Sequence, residues 1–527
     1  MSKPVFTSYI ALTFHNTSPD REGIQTTPSI KSPMKIILAS SEVVPFAKTG
    51  GLADVCGALP RELAKLGHEV NVFMPYYRCV MQKSDSFQIE SADQPLEIPI
   101  GNKVESGWLF KTTLPDSNVT IWFVGHDEYF NRSGLYGENG QDYEDNCQRF
   151  TFFCRGVMES IRMLELQPDL IHVNDWQTGL IPALLKCEYH QNPVYENLVS
   201  LITVHNLAYQ GSFVSEKMSL TGLGWEHFNY EEMEFYGQLN LLKTGLVFAD
   251  AINTVSPTYA REIQEPVQGC GLESVLQHRS ADVSGIINGI DSQDWNPAVD
   301  DLIPQKFDRD SWPAGKAACK AELQRIGRLN ENPDVPLIGI VGRLATQKGW
   351  SLILPVMRRC LEDPNNHAQW IVLGTGDPDF HIVLSTLQQQ FAGQLSVTLD
   401  FSNQLAHQIE AGSDIFVMPS EYEPCGLNQM YSMAYGTVPV VRKTGGLADT
   451  VVDANLETLG NGTANGFSFV DFSADALEHT LHRATRMYYE DKESWRQLVN
   501  KGMSQDWSWT ASAKAYVTLY ERLIAKS

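Results

Sequence analysis

Positive charge is scarce in this sequence: Lys and Arg total 40 against 63 Asp and Glu in 527 residues, a formal charge of −23. A diffuse negative field of that size opposes polyphosphate backbones and anionic lipid, so neither nucleic acid nor a membrane surface is an expected partner. A few basic groups can still dominate inside a cleft and take a small anion. Long apolar runs are missing as well, none approaching the roughly 20 residues of a membrane span. The nine cysteines are dispersed from Cys56 to Cys425 without a CxxC pair, which suits a reduced compartment better than a disulfide framework. HExxH and dense His/Cys patterns are absent, so no metal is expected. The opening MSKPVFTSYIALTFHNTSP lacks the charged segment, clean apolar run and small-residue cleavage site of a secretory signal. No acid precedes Asp20, as in organellar transit peptides, but Arg is absent there too, and residues 1–33 are expected to form a flexible extension.

What is present is core material. Apolar residues make up 43% of the chain, with 23 Phe, 19 Tyr and 11 Trp, enough for two or three packed bodies. The run MKIILAS at 34–40 reads as a strand covered on both faces. It leads through Lys48-Thr49-Gly50-Gly51 into a helix marked by Leu59, Leu63 and Leu66 and capped by Gly67, and EVNVFMP at 69–75 follows as the next strand. That is a βαβ unit whose loop emerges at the carboxyl edge of a parallel sheet. Similar runs recur at 170–174, 200–206, 250–256 and 285–290. A second series lies at 336–344, 369–377, 414–420 and 437–446, with helix-length segments at 350–363 and 426–436. The expected fold class is α/β with two sheets and a boundary in the Asp/Pro-rich stretch 291–313. The helix 509–526, with Ala511, Ala515, Leu519 and Leu523 on one face, can dock on either half.

One heptapeptide occurs twice: Lys48-Thr49-Gly50-Gly51-Leu52-Ala53-Asp54 is matched by Lys443-Thr444-Gly445-Gly446-Leu447-Ala448-Asp449, each copy following a strand and opening a helix. Neither copy is the GxxxxGK[ST] of ATPases or the GxGxxG of dinucleotide enzymes. Both offer backbone N–H groups at a helix N-terminus, a setting for phosphate or sugar oxygens. Arg343 and Lys348, after the strand at 337–342, pair a planar fork with a mobile point charge and suit a diphosphate; solvated surface charge is the competing reading. Glu423 is preferred to Glu421 as a ligand carboxylate because Pro424-Cys425-Gly426 fixes its turn, an ordinary helix-start acid being the alternative. Cys425 reads as a packed thiol. His172 through Gln177 and His205 through Gly211 supply imidazole, amide, carboxylate and an aromatic ring, the set that binds sugar hydroxyls in-plane and covers a pyranose face. A metal reading of His172, Asp175 and His205 lacks a supporting pattern, and His205 alone reads as well as a core histidine. Asn288 is another strand-end polar group able to close the pocket.

Taken in order, KTGGLADV at 48–55, TVHNLAYQG at 203–211, TVSPTYAREI at 254–263, NGID at 288–291, GRLATQKG at 342–349, PSEYEPCGLNQ at 419–429 and KTGGLADT at 443–450 resemble the bacterial-type glycogen synthases and the catalytic part of plant starch synthases, a family of retaining glycosyltransferases. The resemblance implies the GT-B arrangement of two facing Rossmann-like domains, an acceptor-side domain over 34–295 and a nucleotide-sugar domain over 296–508, with helix 509–527 crossing back. It implies transfer of glucose from ADP-glucose, a substrate, to the non-reducing end of an α-1,4-glucan with retention and release of ADP, and no cofactor. Glu423, His205, Arg343, Lys348 and Asp175 are its implied catalytic residues. Its implied donor contacts are Lys48, Gly50, Gly51, Asp54, Asn288, Arg343, Lys348, Phe401, Glu423, Cys425, Gly426, Leu427, Thr444, Gly445 and Gly446, and its acceptor contacts are Tyr136, Asp175, Trp176 and Gln177. A cytoplasmic location follows, or a plastid in a photosynthetic eukaryote; oligomeric state and glycogen versus starch as product stay open.

Three positions depart from patterns familiar among relatives. Gln177 stands where many have His, and cannot exchange a proton. Tyr431 stands where a second, ribose-binding glutamate occurs in related enzymes, and Phe401 where a base-stacking tyrosine occurs, keeping the ring without its hydroxyl. A UDP-glucose-dependent relative, an enzyme making a small glucoside and a non-catalytic glucan-binding regulator are the alternatives.

Overall fold

A computed structural model describes residues 32–526, so the expected extension 1–33 lies, but for its last two residues, outside the described ones. Strand Lys35–Ala39 is buried along its last four residues and sits inside a nine-stranded sheet. The order across that sheet is Val283–Gly285, Ala251–Thr254, Val199–Val204, Leu170–Asn174, Lys35–Ala39, Glu69–Pro75, Thr120–Gly125, Lys103–Thr113 and Glu90–Ile100. Pairing is parallel as far as Thr120–Gly125, and the last two strands add an antiparallel hairpin. The second sheet is parallel throughout, ordered Leu395–Thr398, Gln369–Leu373, Leu337–Val341, Ile415–Met418, Val438–Arg442 and Phe467–Phe469. In each sheet the chain order reverses beside the first strand, and loops leaving the carboxyl ends at such a point diverge to leave a crevice.

The helix after the first strand, Gly51–Lys65, buries Leu59 and Leu63 completely, while Leu66 is 36% exposed and Gly67 turns the chain at φ +95°. Full burial of one such leucine contributes about 1.5–3 kcal/mol. The run expected as a strand at 285–290 is displaced: the strand is Val283–Gly285, and the chain then leaves the sheet so that Ile290 bridges to Ser508. The stretch 291–313 is packed against the second half rather than spanning open solvent. Trp295 stacks between His407 and Tyr431, with ring centroids 3.8 Å away on each side, and Phe307 joins Cys319, Ala411 and Tyr435 in a small core.

Helix Trp509–Ile524 crosses back to the first sheet, with Thr510 donating to Glu62 (2.6 Å) and Ser512 to the Ile287 carbonyl (2.7 Å). Its buried face is Trp509, Ala513, Tyr516, Leu519, Tyr520 and Leu523. Ala511 and Ala515 are exposed, which corrects the expected stripe: the tyrosines at 516 and 520, not the alanines, carry the apolar side because their hydroxyls find partners inside. Tyr516 accepts from Asn253 (3.1 Å), and Tyr520 meets His172 Nδ1 at 2.8 Å. Among the described residues no helix is long and apolar enough to cross a membrane.

His172 is fully buried between Tyr520 and Thr203, and burial pushes its pKa down to about 3. The unfolded chain, with an ordinary imidazole near 6.5, therefore binds one more proton than the folded protein between those values. Its contribution to stability is present above about pH 6.5 and is lost on acidification, by at most about 1.4 kcal/mol per pH unit. Denaturant unfolding of the wild type and His172→Gln at pH 7 and pH 5 should show the difference between them narrowing at the lower pH; a pH-independent difference would refute this linkage.

Candidate active site

The carboxyl edges of the two sheets meet across a cleft of about 560 Å³ lined from one side by Lys48, Gly50, Gly51 and Asp54 and from the other by Arg343, Lys348, Phe401 and Leu427. A smaller pocket of about 130 Å³ shares Arg343, Lys348 and Leu427 and adds Glu423 and Gly426. Eight expected donor-side residues thus line one cleft, and two more lie immediately beside it.

Strand Lys35–Ala39 delivers Ser40, Ser41 and Glu42, all buried, to the back of the first Lys-Thr-Gly-Gly turn. The Glu42 carboxylate accepts from the Thr49 amide, the Thr49 hydroxyl (2.5 Å), the Gly50 amide (3.3 Å) and the Tyr136 hydroxyl (2.6 Å). Neither Gly50 nor Gly51 has a protein atom within 4 Å of where a Cβ would stand, so packing within the protein does not demand glycine at either place. The helix that starts there has no side-chain cap, leaving its first N–H groups facing the cleft. Lys48 Nζ lies 2.7 Å from Asp54 Oδ1, and both groups are solvent-accessible.

The opposite wall is two loops stitched together. The Glu421 amide donates to the Gln347 carbonyl (2.8 Å), and Gln347 Nε2 donates to the Tyr422 carbonyl (2.9 Å). Gly349, at φ +78°, brings its backbone so close to the Pro419 carbonyl that a Cβ would collide with it. This stitching sets Lys348 Nζ 2.6 Å from Glu423 Oε2, which also accepts from Ser420 Oγ at 3.0 Å. Glu423 is 7% exposed, while Arg343 is open to solvent and reaches Gln347 at 3.4 Å. Cys425 is buried and burial pushes its thiol up to about 12, in keeping with a packed group. Phe401, 83% exposed at the rim, presents a bare ring to the cleft. Tyr431, half-buried and stacked on Trp295, forms part of the cleft's back wall.

Asp175 and His205 form a third cluster, beyond the lining of the large cleft. Asp175 has φ +56° and ψ −172°, a conformation that strains a residue bearing a Cβ. Two backbone N–H groups hold it there: its carboxylate accepts from His205 N at 2.7 Å and from Asn206 N. Burial nevertheless raises its pKa to about 7. His205 Nε2 donates to Asn174 Oδ1 (2.9 Å), an amide oriented by its own bond to the Ala39 carbonyl, which leaves Nδ1 as an acceptor. Burial lowers the His205 pKa to about 3, so the ring is neutral at physiological pH. Gln177 and Asn288 are each 7% exposed and each keeps a side-chain oxygen with no hydrogen-bond partner, the condition of a polar group awaiting one.

Three groups of expected contacts sit differently from open binding surface. Trp176 is 8% exposed, wedged edge-on against Phe150 (4.9 Å) and Phe213 (5.8 Å), and is a packed ring rather than an open platform; Tyr209, 58% exposed, is the accessible ring of that region. Tyr136 is likewise engaged from behind, its hydroxyl on Glu42 and Ser41. Thr444, Gly445 and Gly446 are absent from the cleft lining, and their donors are already engaged. Thr444 Oγ1 and Gly445 N bond the Glu262 carboxylate at 3.0–3.3 Å, and Gly446 N bonds the Glu423 carbonyl at 3.1 Å. Glu42 and Glu262 were not found from the sequence, because each is an isolated acid whose partner turn is named only by the fold. Among the described residues no group of three or more His, Cys, Asp or Glu could hold a metal ion.

Two Rossmann-like halves facing each other across a cleft at their carboxyl edges are the GT-B architecture of glycosyltransferases. Residues 35–278 match the family described as starch synthase catalytic domain, and residues 324–502 match glycosyl transferases group 1. A glycogen synthase of Rhodopirellula baltica is 46% identical over 501 residues, covering 93% of this chain and 98% of that protein; glycogen synthase 2 of Geobacter sulfurreducens is 46% identical over 487 residues, covering 92% and 98%. The catalytic domain of starch synthase IV from Arabidopsis thaliana, solved with ADP and acarbose bound, superposes with a TM-score of 0.84 at 32% identity over 94% of this chain and 100% of that one. The chain belongs to the glycogen synthase and starch synthase family.

The two copies of the repeated turn should respond oppositely to a methyl group. Gly50→Ala, which meets open space, should leave stability within about 0.5 kcal/mol but weaken ADP binding about 10-fold or more. Gly445→Ala, at φ +45° and against the Glu423 carbonyl, should instead lower stability by about 1–3 kcal/mol. Calorimetric ADP titration and denaturant unfolding of both variants check this, and unimpaired ADP binding by Gly50→Ala would remove the first turn from the nucleotide site.

Proposed function

We propose that this protein transfers glucose from ADP-glucose to the non-reducing end of an α-1,4-glucan, with retention at the anomeric carbon and release of ADP. The observation that carries the reading is the pairing of Lys348 with a nearly buried Glu423 at the junction of the two pockets, facing the uncapped turn at Lys48–Gly51. A nucleoside diphosphate laid along the cleft would place its base against Phe401 and its phosphates between Arg343, Lys348 and the helix N-terminus at Gly51. The sugar would then lie toward Glu423, His205 and Asn288.

In that pose the bond between glucose C1 and the diphosphate oxygen breaks with its electron pair going to ADP. The acceptor 4-hydroxyl attacks from the same face, and its proton passes to the departing phosphate oxygen. Arg343 and Lys348 stabilise charge on the diphosphate, the kind of preorganised electrostatic term that is often the largest in catalysis. Glu423 lowers the energy of positive charge on the sugar without forming a bond to it. Neutral His205 offers Nδ1 as an acceptor to a sugar hydroxyl and carries no proton through the reaction. Asp175 acts by fixing the His205 backbone, and Trp176 by shaping the wall behind it. The reading uses no cofactor or metal, and a cytoplasmic location fits it, with the plastid as the counterpart in a photosynthetic eukaryote.

Labelled ADP-glucose supplied with a ladder of maltooligosaccharides tests the reaction, the expected result being longer chains and stoichiometric ADP. Turnover with UDP-glucose alone, or none with either donor, would overturn it. Lys348→Ala should lower kcat by roughly 100- to 1,000-fold, and Glu423→Gln should lower it strongly while ADP still binds. Near-normal turnover in folded Lys348→Ala would remove that residue from the leaving-group site.

Gln177 tests the acceptor side separately. Buried beside Trp176, it shapes the acceptor wall from behind, so Gln177→Ala should raise KM for maltooligosaccharide more than it weakens ADP binding. Unchanged acceptor dependence with a large loss of ADP affinity would refute that placement.

A further inference from the structure

The second Lys-Thr-Gly-Gly turn stands behind the proposed catalytic carboxylate and is held from the opposite half of the molecule. Helix Pro257–Glu262 follows strand Ala251–Thr254 of the first sheet, while the turn follows strand Val438–Arg442 of the second. Glu262, near the end of that helix, accepts from Thr444 Oγ1 (3.1 Å) and Gly445 N (3.0 Å). At the helix start, Asp449 accepts from Thr258 N (2.8 Å) and Thr258 Oγ1 (2.6 Å). A six-residue helix from one half is thus gripped at both ends by groups of the other. From the turn the contact continues inward: Gly446 N donates to the carbonyls of Glu423 (3.1 Å) and Pro424 (3.2 Å), and a Cβ at Gly445 would collide with the Glu423 carbonyl.

We propose that Glu262 is a positioning residue for the transfer reaction, holding the second turn, and through it the Glu423 backbone, in the geometry the donor sugar requires. The inference rests on the reading that Glu423 contacts that sugar. The first turn supplies the comparison. There the equivalent Thr49 and Gly50 donors are also held by one carboxylate, but Glu42 belongs to the same half and its hold does not depend on the other sheet. At the second turn the carboxylate comes from across the cleft, so the Thr444–Gly445 backbone is fully supported only while the halves are in contact. Contact between the halves and alignment of Glu423 are therefore one event, linked by three successive contacts: Glu262 to Gly445, Gly446 to the Glu423 carbonyl, and the Glu423 side chain to Lys348.

A contact that served stability alone would alter the unfolding midpoint and leave the chemical step untouched. The full chain carrying Glu262→Ala, Glu262→Gln, Thr444→Val or the Ala/Val pair, assayed with ADP-glucose and maltooligosaccharide, separates the cases. Glu262→Ala is expected to lower kcat by about 10- to 100-fold, the scale of a small misplacement of a catalytic group, while ADP affinity changes less than about threefold. Glu262→Gln, which keeps one acceptor oxygen, should recover most of that loss. Adding Thr444→Val to Glu262→Ala should cost little more, since Glu262→Ala has already removed the Thr444 contact. Wild-type kcat in Glu262→Ala, or a fully additive loss in the pair, overturns the proposal. If Glu262→Ala does not fold, the Glu262→Gln/Thr444→Val pair, which strips the Thr444 contact and weakens that to Gly445, carries the same test, and wild-type kcat in that pair overturns it. Glu423→Gln is the control: its normal turnover would sink the underlying reading, whereas its loss beside an unaffected Glu262→Ala sinks only the positioning role.

Discussion

A cleft whose walls belong to different sheets exists only while something fixes the distance between them. Helix Trp509–Ile524 does this by following the second half in sequence and burying its tyrosines and leucines on the first. The polar contacts at its base matter as much as its apolar face. His172, Asn253 and Thr203 lie inside the first sheet, and without Tyr516 and Tyr520 their polar atoms would lose partners in a place water does not reach. The Trp295 stack binds the connecting stretch to the second half and backs the cleft wall.

Within that frame the electrostatics are local. A chain of charge −23 handles an anionic ligand by placing a few cations, Lys48 on one wall and Arg343 and Lys348 on the other, in one cleft and supplying the remaining positive potential as backbone N–H groups. Carboxylates organise the same region from behind. Glu42 holds the first turn, Glu262 the second, and Asp175 the loop bearing His205. In each case the acid accepts backbone N–H groups, so its charge is met by oriented dipoles rather than by a competing lysine.

The parts of this arrangement that were legible in the sequence share one property: they depend on neighbours in the chain. LIHVN at 170–174 reads as a strand because it is a short run built on Leu170, Ile171 and Val173, and the structure buries all five residues. Arg343, Lys348 and Glu423 are legible as neighbours because each lies in a loop that leaves a strand, and strands of a parallel sheet end on one edge. The hairpin Glu90–Ile100 and Lys103–Thr113 was missed because its outer strands carry prolines, acids and exposed positions that resemble loop. Ala511 and Ala515 were preferred to Tyr516 and Tyr520 because the partners that satisfy those hydroxyls lie in another domain. The two copies of the heptapeptide are identical as text, and the acid that sets the second apart lies 183 residues from the glycine it holds. Trp176 failed in the same way, its burial decided by Phe150 and Phe213 rather than by the loop it begins.

The crossing helix also bears on the order in which the molecule comes into being. His172 and its partner Tyr520 are separated by 348 residues, and a ribosome adding about 5–20 residues per second needs roughly 20 to 70 s to pass from one to the other. Once synthesis passes Gly285 the first sheet is complete in sequence but still lacks the helix that covers one face, leaving a buried-type imidazole and an asparagine amide exposed to water. Folding of the earlier half is therefore tied to synthesis of the later one. A nascent chain halted between Gly285 and the crossing helix presents an open apolar surface of the kind that chaperones bind.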